Sequence, residues 1–243
     1  MPFTICAIGS SHLSAGKKGW NAIHKRHRDI EIIFFAAAGN LIMDVNVDGT
    51  RLVPSKDMLR DKLALTSQGK TEIAGDYSRY LIWGLPFSFM AAAKAYIGGV
   101  DSGAKDETIA AAIRDHLHQC KSIELFKKVR AITAAPIGIV PSPLRSEKAP
   151  MDPLPRALRG GDLDRLSGLY ERAVKDVAKE MGFVPFLQPK ETQVDGLRTK
   201  AAYSLDRTAT RGDADDISHM NVEFGTLVLT EVLENQDFME GPG

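Results

Sequence analysis

Two short stretches at opposite ends of the chain hold the residue types that nucleophilic chemistry needs. Gly9-Ser10-Ser11-His12 follows the first apolar run, and Asp215-Asp216-Ile217-Ser218-His219 precedes the last helical pattern. A serine hydroxyl is a poor nucleophile until a general base takes its proton and a third group orients that base. Ser11, His219 and Asp216 are the candidates for those three parts. Asp216 and His219 stand three apart, so on one turn at the mouth of the last helix the carboxylate and the imidazole would face each other. Asp216 would then keep one ring nitrogen protonated and leave the other to accept a proton from Ser11. Asp215 is read as solvated or capping.

The same Gly-Ser-Ser-His has two other readings. A phosphate-binding P-loop requires G-x4-G-K-[ST], whose N–H groups wrap the phosphates. Here six residues separate Gly9 from Gly16, and Lys18 stands where a hydroxyl is required. No G-x-G-x-x-G fingerprint is present either. The plainer reading is a turn that caps the first helix. Catalysis gains weight only because the two stretches are expected at the same edge of one sheet.

That expectation comes from the elements between them. Residues 3–8 and 29–37 read as buried strands, the second nearly continuous in Ile and Phe, as when both faces are covered. Residues 41–53 alternate around Asp48-Gly49, a hairpin signal. Residues 79–87 and 128–140 read as further core strands, and 183–189 as a short fifth. Helical patterns run from about Ser14 to His27 and over 106–123, 161–182 and 222–235. This alternation predicts one domain over 1–243, a three-layer α/β/α sandwich on a five-stranded parallel sheet of flavodoxin-like type. Ligands in such sheets bind beyond the carboxyl ends of the strands. Gly9–His12, Gly39-Asn40, Gly84–Phe87 and the Asp216–His219 stretch would all gather there.

With the blocks in this order, the chain resembles the SGNH (GDSL-type) hydrolase superfamily. The family's first block, G-D-S followed by Leu or His, is similar to Gly9-Ser10-Ser11-His12 and puts Ser11 on the nucleophile position. Its last block, D-x-x-H, falls on Asp216 and His219, and the stretch from His219-Met220-Asn221 to Gly225 is similar to its H-x-N-x-x-G tail. Gly39 is similar in position to the second-block glycine whose N–H helps form the oxyanion hole. Two departures stand out. Ser10 replaces the usual Asp, which is not a triad member. Gly84-Leu85-Pro86-Phe87 lacks the third-block Asn that donates to the oxyanion, and one such donor is worth about 10²–10³ in rate.

The resemblance implies a serine esterase acting on O-acyl esters, O-acetyl included, with Ser11, His219 and Asp216 as its triad. The N–H groups of Ser11 and Gly39 would hold the oxyanion, with the Asn40 amide as candidate substitute for the missing donor. The substrate would be a small-molecule or carbohydrate ester, and no metal or organic cofactor is called for. His12 either lines the pocket, against an acyl or sugar oxygen, or caps and packs the first helix. Acyltransferases of the superfamily carry a GDSH block, which Ser11-His12 resembles, so acyl transfer to a sugar or other hydroxyl is the alternative. A non-catalytic module binding glycan or acyl ligands on the same fold is a third reading.

The remaining candidates are bland. Residues 44–49 imitate the start of a calcium loop, but the twelfth position is Ser55 rather than Glu and the flanks alternate like strands. His24 and His27 lie amid Lys25, Arg26 and Arg28 and read as a cationic surface; His116 and His118 also read as surface. Trp83 and Cys6 read as core, and with Cys120 as the other cysteine neither a disulfide framework nor a zinc site is suggested. Lys+Arg and Asp+Glu number 31 each, so no broad basic field recruits nucleic acid. No apolar run is long enough to span a bilayer, and the start lacks a signal-peptide layout, which sets the expectation of a cytoplasmic protein without membrane partners. The stretches 40–78, 86–105 and 141–160 are long insertions in which substrate choice would reside.

Overall fold

The computed structural model describes residues 3–87, 89–149, 158, 161–194, 196–205 and 216–241, with 216 and 217 described in backbone only. β1 (Phe3–Gly9) is the hub of the main sheet. It pairs in parallel with β2 (Ile30–Ala36) on one side and β6 (Arg79–Leu85) on the other. β7 (Ile137–Pro141) and β8 (Val184–Pro185) lie further outward, again parallel, giving the order β2-β1-β6-β7-β8. The chain steps from β1 out to β2 and then back across to β6. The crevice between the ends of β1 and β6 is therefore the topological switch point, where ligands of such sheets sit.

Side chains along β1 alternate between the two faces. Ile5 and Ala7 join one apolar cluster, Cys6 and Ile8 the other. The first cluster is closed by α1 (Leu13–Ile23), α7 (Val222–Glu234) and the short α8 (Gln236–Met239). The second is covered by α2 (Asp57–Thr66), α3 (Phe89–Asp101), α4 (Asp106–His118), α5 (Lys121–Ile132) and α6 (Asp162–Met181). The result is a three-layer α/β/α sandwich around a five-stranded parallel sheet. Two small antiparallel sheets accompany it. β3 (Val45–Asp48), β4 (Arg51–Pro54) and β5 (Ile73–Ala74) form one, turning at Gly49 with φ 56°. β9 (Ser204–Leu205) and β10 (Asp216–Met220) form the other.

Several elements differ from the sequence expectation. Residues 128–136 are not strand: α5 continues to Ile132 and only Ile137–Pro141 extends. Ile123, Phe126, Val129 and Ile132 recur at three-residue spacing, and all are buried, so the helical period outweighs the β-branched composition. The pattern over 106–123 is two helices rather than one, with Cys120 as the cap residue of the second. β8 is only Val184–Pro185, since proline ends ladder donation. Residues 216–220 form a strand, not a helical turn. Within the inserted stretches, α2 and α3 are regular helices. Among the described residues no helix is long and apolar enough to cross a membrane.

α1 and α7 approach each other backbone to backbone. A Cβ on Gly19 would lie 2.4 Å from the carbonyl carbon of Gly225, and one on Gly225 would lie 1.9 Å from the carbonyl oxygen of Ala15. Both distances are impossible for real atoms, so the two backbones touch because these positions are glycine. Gly225→Ala is expected to force the helices apart and cost about 1–3 kcal/mol or more in urea denaturation. Gly168→Ala, on the exposed face of α6 with nothing within 4 Å, is the control. It is expected to stabilise by roughly 0.5–1 kcal/mol, as alanine does for glycine inside a helix. Equal stability of the two variants would contradict the contact.

Candidate active site

Ser11 sits in the turn between β1 and α1, at the switch point. Three bonds shape this turn. Leu13 N–H donates to Ser10 O (3.1 Å), Ser14 N–H to Ser11 O (3.1 Å) and Ala15 N–H to His12 O (3.2 Å). The buried Ser10 hydroxyl donates to Gly84 O at 2.5 Å and Ser10 N–H to Trp83 O at 3.2 Å, tying the turn to the end of β6. Gly84 bends with φ 75°, and a Cβ there would lie 2.5 Å from His12 Cβ. Glycine is thus required twice over, by conformation and by space. Ser10 is thus a structural strut, and no signal in the sequence announced that role.

His219 reaches Ser11 from the far end of the chain. Its Nε2 lies 2.8 Å from Ser11 Oγ, and both residues are half-buried. When Nδ1 holds the ring proton, the serine hydroxyl donates to Nε2, the arrangement a general base needs. Ser218 Oγ lies 3.3 Å from Nδ1 and can accept from it. The His12 ring stands 5.0 Å from the His219 ring, tilted by 32°. Sequence reasoning placed His12 beside the site but did not single out Ser218.

The backbone that carries His219 is a bulged ribbon. Asp216 pairs with Leu205 and Met220 with Ser204, so the register slips between these pairs and residues 217–219 are looped out of the ladder. The helical-turn geometry expected for Asp216 and His219 is therefore corrected: they belong to a strand, where residues three apart favour opposite faces unless a bulge re-aims them. The Asp216 side chain and all of Asp215 lie outside the described residues. Just beyond His219, Met220 is buried and Asn221 caps α7, accepting from Phe224 N–H at 3.1 Å. Asn221 Nδ2 also donates to Ala202 O at 2.7 Å. In physical terms, the tail from His219 to Gly225 consists of a histidine that meets Ser11, a helix cap and a close-contact glycine.

Gly39 and Asn40 lie in the exposed turn after β2, which is drawn to β1 by Ala37 N–H donating to Gly9 O at 3.1 Å. Gly39 takes φ 58° and Asn40 φ −90°. Among the described residues no acceptor takes the N–H of Ser11, Gly39 or Asn40. Gly84-Leu85-Pro86-Phe87 brings no side-chain amide, and its Gly84 carbonyl is held by Ser10.

The other histidines lie elsewhere. His24 and His27 each stand 6.2 Å from the Trp20 ring, and His118 faces Glu180 at 3.4 Å. Trp83 is fully buried, its ring against Gly16. Among the described residues no group of His, Cys, Asp and Glu has the makings of a metal site.

No family model matches this chain, and no curated protein sequence matches it. Two solved structures are similar in outline. One is an extracellular lipase from Streptomyces rimosus, at 13% identity and TM-score 0.43, covering 94% of this chain and 98% of the lipase. The other is a DUF4886 family protein from Bacteroides uniformis, at 12% identity and TM-score 0.42, covering 100% of this chain and 87% of the other. Neither likeness reaches a level at which chemistry follows from it.

The two thiols are poor nucleophile candidates. Both are free and buried, and burial pushes Cys120 up to about 11 and Cys6 well above its ordinary value. At pH 8 the Cys120 thiolate is then about one part in a thousand. A thiol reagent at pH 8 is expected to modify neither cysteine in native protein and both after unfolding. Rapid reaction of either in the native state would contradict their burial.

Proposed function

We propose that the protein is a serine ester hydrolase. The observation that carries this is the 2.8 Å contact between Ser11 Oγ and His219 Nε2, made by residues from opposite ends of the chain at the switch point of the sheet. A fold alone hosts many functions, so the reading rests on the site.

In the proposed reaction His219 Nε2 takes the Ser11 proton as Oγ bonds to the ester carbonyl carbon. The displaced π pair settles on the carbonyl oxygen, facing the N–H groups of Ser11 and Gly39, with Asn40 beside them. Collapse breaks the bond to the alcohol oxygen, which leaves with the proton from Nε2, and the acyl group remains on Ser11. Water then gives a proton to Nε2, adds to the acyl carbon and releases the acid, restoring Ser11. Every proton passes through His219, so the scheme calls for no cofactor. Asp216 is the carboxylate assigned to the Nδ1 side, where Ser218 is a neutral neighbour. His12, packed on Gly84 beside His219, is assigned to the substrate side of the pocket.

A fluorophosphonate probe is expected to label Ser11, as mapped by mass spectrometry. Ser11→Ala and His219→Ala should each abolish labelling and ester turnover while leaving the unfolding transition unchanged. Full turnover in either folded variant would end this mechanism. Asp216→Asn is expected to lower kcat by on the order of 10³–10⁴, and Ser218→Ala by much less. The reverse order, read from steady-state kinetics, would transfer the orienting role to Ser218.

A further inference from the structure

A cavity of about 800 Å³ opens beyond the carboxyl ends of β6, β7 and β8. It contains neither Ser11 nor His219, yet it begins close to them. Gly84 touches His12, and Pro86, in the cavity wall, comes two residues later. Two residues of chain span at most about 7 Å. A substituent on an ester carbonyl held at Ser11 that runs past Gly84 would meet the cavity wall at Pro86.

Size and chemistry of the wall narrow what that substituent is. Pockets of roughly 300–1,000 Å³ bury most of a drug-sized ligand, so a two-carbon acetyl group would leave this one almost empty. Phe87, Phe89, Met90, Leu163, Leu187 and Val194 give it a carbon surface. Polar groups behind that surface are satisfied within the wall. Tyr170 Oη donates to Phe87 O at 2.6 Å, Leu144 N–H donates to Gln188 Oε1 at 2.8 Å, and Gln188 Nε2 donates to Thr192 Oγ1 and Thr199 Oγ1 at 3.0 Å each. The charged lining balances: Arg145, Lys190 and Arg198 against Asp164, Glu171 and Glu231, with Lys190 3.6 Å from Glu171. An anionic headgroup would meet as many carboxylates as cations, whereas a neutral hydrocarbon gains from every carbon it buries.

We propose that this cavity is the acyl-chain subsite, and that the substrates are esters of medium- to long-chain carboxylic acids rather than acetyl esters. The proposal rests on the ester-hydrolase reading for its chemistry but not for its binding. Full burial of each added methylene is worth roughly fourfold in affinity.

The test compares ethyl and decyl fluorophosphonates at submicellar concentration, with the rate constant for modification of Ser11 as readout. The decyl probe is expected to react at least about tenfold faster, a small part of the ideal gain from eight further methylenes. Leu163→Trp, which fills the cavity from a half-exposed position on α6, should remove most of that advantage and leave the ethyl rate unchanged. Equal rates for the two probes, or a decyl advantage untouched by Leu163→Trp, would overturn the subsite and leave the serine reading standing. A second measurement separates the two ideas from the other side. Calorimetry of 1-decanol and 1-butanol on the Ser11→Ala protein should show chain-length-dependent binding that Leu163→Trp weakens. Absence of decanol binding overturns the subsite. Binding with no Ser11 labelling by either probe keeps the subsite and overturns the hydrolase.

Discussion

The touching backbones of α1 and α7 are the constraint on which the site depends. Gly19, Gly225 and Ala15 allow these helices to approach as closely as main chain permits, with no side chain between them. Both helices begin at the carboxyl edge of the sheet. Ser11 lies two residues before the first residue of α1, and His219 three before the first of α7. Fixing the helices side by side therefore fixes their leading turns side by side. A base and a nucleophile must meet within a few tenths of an ångström of hydrogen-bond distance to be useful. Rigid helices in direct contact hold that tolerance better than side chains with several rotamers would.

A second constraint orients the serine turn against the sheet. The Ser10 hydroxyl is bound to Gly84 O, His12 is pressed over Gly84, and Gly9 lies where a Cβ would come within 2.0 Å of Trp83 O. The ends of β1 and β6 are thus joined at the crevice that the topology reserves for ligands. The same joint sets the relation between the serine and the cavity, since the wall of the cavity starts where β6 ends. Position at the switch point and access to the cavity are two consequences of one local arrangement.

How much of the molecule is legible in its sequence depends on how locally each feature is encoded. β1, β2 and β6 are continuous apolar runs, and burial on both faces demands such runs. The two ends of the site are visible because serine, histidine and glycine each carry a residue-level signal. Residues 128–136 mislead because Val, Ile and Thr favour strands locally while a period of three to four residues, set by packing against the sheet, governs the outcome. The pairing of Asp216 with His219 is argued from a helical turn, and the bulged ribbon replaces that geometry because β10 finds a partner in β9, a contact no local pattern specifies. The cavity is invisible in the sequence for the same reason. Its wall comes from the segment after β6, the start of α3, α6, α7 and two loops, so no contiguous stretch of sequence describes it.

The ribbon that bears His219 and the turn that bears Ser11 are supported differently. A two-stranded ribbon is marginal by itself, and β10 has no partner but β9 among the described residues. The serine turn, by contrast, grows from the central strand of the main sheet. The residues on its C-terminal side anchor His219: Met220 buried in the apolar cluster that α1 and α7 close, Asn221 capping α7, and Gly225 against Ala15. Met220 is itself the last residue of β10, paired with Ser204, while Gly225 belongs to the helix pair that follows from the Ser11 turn. His219 is thus held from two sides: by the ribbon, through the Met220–Ser204 pair and the bonds from Asn221 to Tyr203 O and Ala202 O, and by α7 packed directly on the helix that follows Ser11.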